Sequence, residues 1–145
     1  VYFEEALTVS RRLAVDDPSS FRAQRDLYFA LTAVANVSLE QDDLSVARSH
    51  FLEAQLISER LAAQDPASLA SQNNLANSRA GLAMVEERLG RFQEALDLHR
   101  QALRLYQDVM RRDPSDSTIA EIVSGEAQAV QRLQQLLSSS PRRAP

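Results

Sequence analysis

The sequence predicts an all-α fold, an α-α superhelix of about six antiparallel helices. Only three of the 145 residues are glycine, whereas chains rich in hairpins or phosphate loops need more glycine to reach positive φ. The abundant Ala, Leu, Arg, Gln and Glu favour helix. The third observation is an internal repeat, and it sets the helix boundaries.

The repeat is marked by an Asp-Pro step followed by small or polar residues. DDPSS, QDPAS and RDPSD begin at 16, 64 and 112, so Pro18, Pro66 and Pro114 lie 48 residues apart. The segments around them align without a gap, and alanine and apolar residues keep their columns. Repeat junctions are therefore expected near 18, 66 and 114.

Each Asp-Pro step is expected to end one helix and to begin the next. A residue before proline is pushed out of the α region, and proline cannot donate the next helical hydrogen bond. Two residues after each proline stand Ser20, Ser68 and Asp116, whose side-chain oxygens can cap the following helix.

A second break lies midway between the prolines. Gly90 can adopt the left-handed conformation that closes a helix, and Asp42 or Asp43 can act as turn or cap residues. The two kinds of break predict helices near 1–16, 20–41, 43–64, 68–89, 91–112 and 116–138. The helical repeat domain is thus expected over 1–138, with a disordered tail over 139–145.

Composition argues against several classes of function. The chain has no cysteine, which excludes disulfides and thiolate metal sites and fits a reducing, cytoplasmic compartment. The net charge of −4, with signs interspersed, argues against a nucleic-acid or membrane partner. Arginine is the only basic residue type, which fits the codon bias of a GC-rich bacterial genome.

No motif for catalysis or for a cofactor is present, so the expectation is a non-enzymatic protein without cofactors. His50 and His99 have no second His or Cys at metal-ligand spacing, and His99 falls in a packing column. There is no glycine-rich phosphate loop and no HExxH or GxSxG pattern. The adjacent Glu86 and Glu87 diverge on a helix, so they are expected to be solvated surface residues rather than an acid–base pair.

LGRFQEALDLHRQALRLY (89–106) resembles the second half of a tetratricopeptide repeat. It has the Gly90-x-Phe92 turn followed by Ala95, the bulky His99 and Ala102. DDLSVARSHFLEAQLI (42–57) shows the same pattern, with Asp42 in the glycine position. The resemblance covers nearly the whole chain, but the period of 48 residues exceeds the family's 34. Each helix of a pair is therefore expected to be about two turns longer.

The resemblance implies that the first helix of each pair lines a concave face that receives a peptide. The stripe expected on that face comprises Phe29, Thr32, Asn36, Asn77, Met84, Arg88, Gln128 and Arg132. The alternative interpretation of Phe29 and Met84 is that they pack between neighbouring hairpins. A clamp for a ligand's terminal carboxylate, as in chaperone-binding members, is disfavoured because the chain has no lysine.

The function expected is a non-catalytic scaffold that binds a protein or peptide, as a fragment of a larger bacterial signalling or regulatory protein. The first helix lacks a polar outer face, so further repeats are expected before it. The alternative is a structural module that self-associates into a homo-oligomer. A third hypothesis, an enzyme using the groove, requires a polar pocket with buried titrating groups.

Overall fold

Within residues 2–139, which the computed structural model describes, the chain folds into six α-helices. They are α1 (Tyr2–Asp16), α2 (Phe21–Glu40), α3 (Leu44–Gln64), α4 (Leu69–Arg88), α5 (Phe92–Arg112) and α6 (Ser117–Ser139). The all-α prediction is confirmed, and the predicted helix bounds agree to within one residue at nearly every end. Ser139 still belongs to α6, and the rest of the predicted disordered tail lies outside the described residues.

The helices form two rows. Each helix packs against the next one in the chain, and α2 also contacts α4 across the intervening hairpin. In the other row, Arg11 of α1 donates to Glu53 of α3 at 2.5 Å. Helices α2, α4 and α6 therefore make one row, and α1, α3 and α5 make the other, as in a helical-repeat solenoid.

The Asp-Pro turns end and begin helices as the sequence predicts. The amide of Ser20 donates to the Asp17 carbonyl at 3.2 Å, and the Ser20 hydroxyl then accepts from the Ala23 amide at 3.2 Å. In the next unit Ser68 caps α4 by accepting from the Ser71 amide at 3.1 Å. Asp116 accepts from the amide of Thr118 at 2.9 Å. These bonds satisfy amides that have no partner inside the helix.

The turns between α2 and α3 and between α4 and α5 each contain a residue in the left-handed conformation. Gly90 has a φ of 75°, and Asp42 takes the same position with a φ of 62°. The amide of the following residue then bonds back across the turn, from Arg91 to the Glu86 carbonyl and from Asp43 to the Ser38 carbonyl, both at 2.8 Å. This pattern closes a helix and satisfies its last carbonyl groups.

The interior depends on small residues where helices cross. Ala47, Ala54, Ala95 and Ala102 are completely buried. At Gly81 of α4 the approach is closer still: an added Cβ would lie 2.3 Å from the ring of Phe51. Because Phe51 is itself buried between α2 and α4, only glycine leaves room for its ring.

Replacing Gly81 by alanine is expected to lower the free energy of unfolding by about 1–3 kcal/mol. The methyl group overpacks the site against Phe51, and this outweighs the gain of up to about 1 kcal/mol that alanine brings to a helix. Urea denaturation followed by circular dichroism would measure both effects.

The matched control is Gly125→Ala on α6, where an added Cβ meets nothing within 4 Å. This variant is expected to be unchanged or more stable by up to about 1 kcal/mol. Equal effects of the two substitutions would contradict the close approach of Phe51 to Gly81.

None of the helices within residues 2–139 combines the length and the apolar character that crossing a membrane requires.

Candidate functional site

Two adjoining cavities open along the row formed by α2, α4 and α6. The first, of about 300 Å³, lies between α2 and α4, and is called here the α2–α4 cavity. It brings together five of the predicted groove residues. These are Phe29, Thr32, Asn36, Asn77 and Met84, and the other lining residues are Tyr28, Phe51, Ala80 and Gly81.

The second cavity, of about 500 Å³, lies between α4 and α6, and is called here the α4–α6 cavity. It is lined by Met84, Glu87, Arg88, Phe92, His99, Glu126, Ala129 and Arg132. Met84 lines both cavities, so they adjoin at its side chain. Arg88 and Arg132 were predicted here, whereas the predicted Gln128 is exposed on α6 and lines neither cavity.

Apolar side chains remain open to solvent in the α2–α4 cavity. Phe29 is 51% exposed and Met84 is 48% exposed, so about half of each side chain is open to solvent. The Phe29 ring lies edge-on to Tyr28, with 5.2 Å between the ring centroids. Asn36 is exposed beside them and has no hydrogen-bond partner within residues 2–139. The cavity can therefore offer both apolar contact and a free amide.

Asn77 has a structural task that the sequence does not reveal. The Tyr106 hydroxyl donates to the Asn77 side-chain oxygen, and the Asn77 side chain also lies close enough to the Tyr28 hydroxyl to affect its pKa. Tyr28 donates in turn to the Asn74 carbonyl at 2.8 Å. Burial raises the pKa of both tyrosines above their usual value, so both hydroxyls stay protonated. Asn77 thus joins α2, α4 and α5, and its removal would also disturb the fold.

Thr32 is partly engaged as well. Its hydroxyl lies 3.1 Å from the Tyr28 carbonyl and 3.0 Å from the Phe29 carbonyl, to which it donates within α2. Because the single proton of the hydroxyl serves the helix, Thr32 can offer a ligand only its acceptor lone pairs.

The α4–α6 cavity contains a buried histidine between two carboxylates. The His99 side chain is almost fully buried, and its Nδ1 lies 2.7 Å from Glu126 Oε2. Its Nε2 lies 3.7 Å from Glu87 Oε2, which is too far for a hydrogen bond, and Nε2 has no other partner within residues 2–139. Because a carboxylate oxygen can only accept, the short bond assigns a proton to Nδ1, which donates to Glu126; in the neutral imidazole Nε2 is then an acceptor.

Both arginines of the α4–α6 cavity have partners. Arg132 donates to both oxygens of Glu87, with one bond of 3.2 Å, and this fork lowers the pKa of the Glu87 carboxyl below its usual value. Arg88 donates to the Leu39 carbonyl at 2.6 Å and lies 3.5 Å from an Asp42 oxygen. Arg88 therefore ties α4 to the C-terminal end of α2.

The expectation that Glu86 and Glu87 are solvated is wrong for Glu86, which is 3% exposed. Arg48 Nε donates to one oxygen of Glu86 at 2.6 Å, and Arg91 Nη1 donates to the other at 3.1 Å. The two carboxylates do diverge, since neighbours on a helix point about 100° apart. Glu86 points between α3 and the start of α5, and Glu87 points towards α6. A signal was available: Glu86 stands in the column of a bulky packing residue.

His99 is buried as predicted, but its partner was missed. Glu126 lies 27 residues further along the chain, and no local pattern joins the two. The arrangement orients a basic nitrogen, yet no lining residue of the α4–α6 cavity is Ser, Thr, Tyr or Cys. The cavity is thus suited to binding a hydrogen-bond donor. Within residues 2–139 no cluster of three or more His, Cys, Asp or Glu could hold a metal ion.

The depressed pKa of Glu87 predicts how stability depends on pH. Since the pairing with Arg132 favours the charged carboxylate, it stabilises the fold above the usual Glu pKa, about 4.3. This stabilisation is lost as the pH falls through the lower folded value. The difference in melting temperature between the wild type and Arg132→Gln should be largest at neutral pH and should close under acid conditions.

NMR titration of the Glu87 carboxyl carbon measures the cause directly. In Arg132→Gln the Glu87 pKa should return towards its usual value, whereas Arg104→Gln, an exposed change on α5, should leave it low. An unchanged Glu87 titration in Arg132→Gln would refute the pairing.

Comparison with known families supports the predicted resemblance. Residues 75–116 match the family described as Tetratricopeptide repeat, and they comprise most of α4, all of α5 and the Asp-Pro turn that follows. The predicted resemblance to this family is confirmed over these residues. The family is typically a non-catalytic, protein-binding repeat. No curated protein matches the chain.

Proposed function

Because residues 75–116 are a tetratricopeptide repeat, we propose that this chain is a non-catalytic scaffold that binds a protein or peptide in the groove along α2, α4 and α6. The observation that supports the proposal most directly is the pair of half-exposed apolar side chains, Phe29 and Met84, in the α2–α4 cavity. Apolar groups on a soluble protein that gather in a cleft beside a free amide suit an extended peptide.

The proposed ligand contacts differ in kind along the α2–α4 cavity. Phe29 and Met84 would contact an apolar side chain of the peptide, and thioether side chains adapt easily to different partners. Asn36, which has no partner within residues 2–139, would bond the peptide backbone. Asn77 would take part mainly by keeping Tyr28 and Tyr106 in place.

The proposed setting is the cytoplasm of a bacterium, within a signalling or regulatory protein. The absence of cysteine and the use of arginine without any lysine support this setting.

The groove is tested by selecting a displayed library of random 12-residue peptides on the folded chain and measuring the affinity of the peptides that are enriched. Phe29→Ala and Met84→Ala should each weaken binding about tenfold or more, as hot-spot contacts do. Each change should alter the free energy of unfolding by less than about 1 kcal/mol, since both side chains are half exposed.

Leu56→Ala is the matched control, because Leu56 is 59% exposed but lies on α3, in the other row. Failure to enrich any peptide would overturn the proposal. Enriched peptides that lose affinity for Leu56→Ala and not for Met84→Ala would place the binding surface on the row of α1, α3 and α5, and would contradict the proposed groove.

A second candidate function, self-association, is favoured by the outer face of α1. Val9 and Leu13 are 59% and 53% exposed, although their counterparts one repeat later, Ile57 and Leu61, are each 2% exposed. Apolar positions that are core in one unit and exposed in another can join two molecules. The partner under this candidate is a second copy of the chain.

Light scattering over a concentration series separates the two candidates. Self-association through α1 predicts a molar mass that rises with concentration in the wild type and stays monomeric in a Val9→Ser, Leu13→Gln double variant. A monomer at all concentrations would leave the peptide groove as the function and would exclude self-association.

A further inference from the structure

The two cavities of the groove are equivalent positions in successive repeats, yet their chemistry differs. Advancing 48 residues from the first cavity to the second exchanges four lining residues. Asn36, Phe51, Gly81 and Met84 become Met84, His99, Ala129 and Arg132. The ring that packs beneath the first cavity is therefore apolar, and the ring in the second has hydrogen-bonding nitrogens.

A count of charges in the α4–α6 cavity leaves one carboxylate without a cation. Arg132 is paired with Glu87, and Arg88 is held by the Leu39 carbonyl and Asp42. Within residues 2–139 the only polar partner of Glu126 is the imidazole of His99. Its negative charge also contributes, after burial, to raising the pKa of the nearby Tyr106.

The unpartnered nitrogen of His99 adds a second acceptor. The histidine is 3% exposed, lines the cavity, and its Nε2 has no hydrogen bond within residues 2–139. A buried polar atom without a partner costs free energy unless a ligand or water supplies one. With Nδ1–H bonded to Glu126, Nε2 of the neutral imidazole presents a lone pair. The α4–α6 cavity therefore lacks a hydrogen-bond donor for Nε2.

The remaining walls suit an aliphatic chain that ends in a cation. Met84, Phe92 and Ala129 provide apolar contact, as the methylene stems of long basic side chains require. A positive group near the aromatic ring of Phe92 gains further attraction. The cavity therefore combines an apolar wall, one uncompensated carboxylate and one free acceptor.

We infer that the α4–α6 cavity accepts a lysine or arginine side chain of the bound peptide, with Glu126 as its counter-ion and His99 as the positioning residue and second acceptor. This inference rests on the proposed groove and adds to it a chemical class of ligand. A peptide that spans both cavities would place an apolar side chain in the α2–α4 cavity and a basic side chain in the α4–α6 cavity.

The test uses small probes, so that it is independent of any peptide. n-Butylammonium, n-butyrate and 1-butanol share a four-carbon chain and differ in the charge of the head group. Each is titrated into the ¹⁵N-labelled chain at neutral pH and constant ionic strength. The readouts are the backbone amides of Glu126 and Ala129 and the side-chain nitrogens of His99.

Butylammonium is expected to give saturable shifts at these nuclei and to bind at least tenfold more tightly than butyrate or butanol. Glu126→Gln should weaken butylammonium binding about tenfold, since a charge-assisted hydrogen bond is lost. Glu121→Gln, an exposed carboxylate on the same helix, should have no effect. His99→Phe should weaken butylammonium binding, and His99→Gln, which keeps a side-chain acceptor, should restore part of it, which a merely structural role would not do.

Stronger binding of butyrate would assign the cavity to anions through Arg88 and Arg132, and would overturn the inference. The absence of any saturable shift by butylammonium would overturn it as well. The comparison of probes on the wild type decides the matter even where a variant fails to fold. If butylammonium binds but no peptide is ever enriched, the cation site stands and the peptide groove fails.

Discussion

The architecture depends on the turn that proline imposes at each repeat junction. Proline cannot donate to the preceding turn of a helix, and it keeps the residue before it out of the α region. The chain then turns within four residues, with the Ser20 and Ser68 amides bonded to the carbonyls of Asp17 and Asp65 at 3.2 and 3.1 Å. Because this turn recurs at a constant interval, residues in the same column face equivalent neighbours.

Equivalent positions carry different polar groups in successive units. The hydroxyls of Ser58 and Ser78 meet at 3.0 Å between α3 and α4, and Tyr106 and Glu126 occupy the corresponding columns between α5 and α6. Such buried polar groups are tolerated only when they find partners. Those of the last unit largely do, through Asn77 and the carboxylates around His99, and this network gives the α4–α6 cavity its chemistry.

The local features of this fold could be predicted from the sequence, and the long-range pairs could not. Helix ends follow from proline, glycine and capping residues, whose effects act within a few positions. Partners such as Glu86 with Arg48 depend on how two helix faces meet, which no short pattern records. The groove residues could be predicted only in part. Helical spacing brought Phe29, Thr32 and Asn36 to one face, but it could not show that Asn77 accepts a hydrogen bond from Tyr106.

The column of Asn36, Met84 and Arg132 shows how a repeated scaffold can recognise an unrepeated ligand. The three residues lie at the same position on α2, α4 and α6, and Met84 lines both cavities. A ligand lying along this row would meet an amide, a thioether and a guanidinium one repeat apart. Arg132 donates to Glu87, so the guanidinium at the α6 end of the row has a defined partner. A preorganised charge favours one orientation of a bound ligand, and an adaptable thioether lets the site tolerate different ligand side chains. The direction in which a ligand lies would therefore be set at the α6 end.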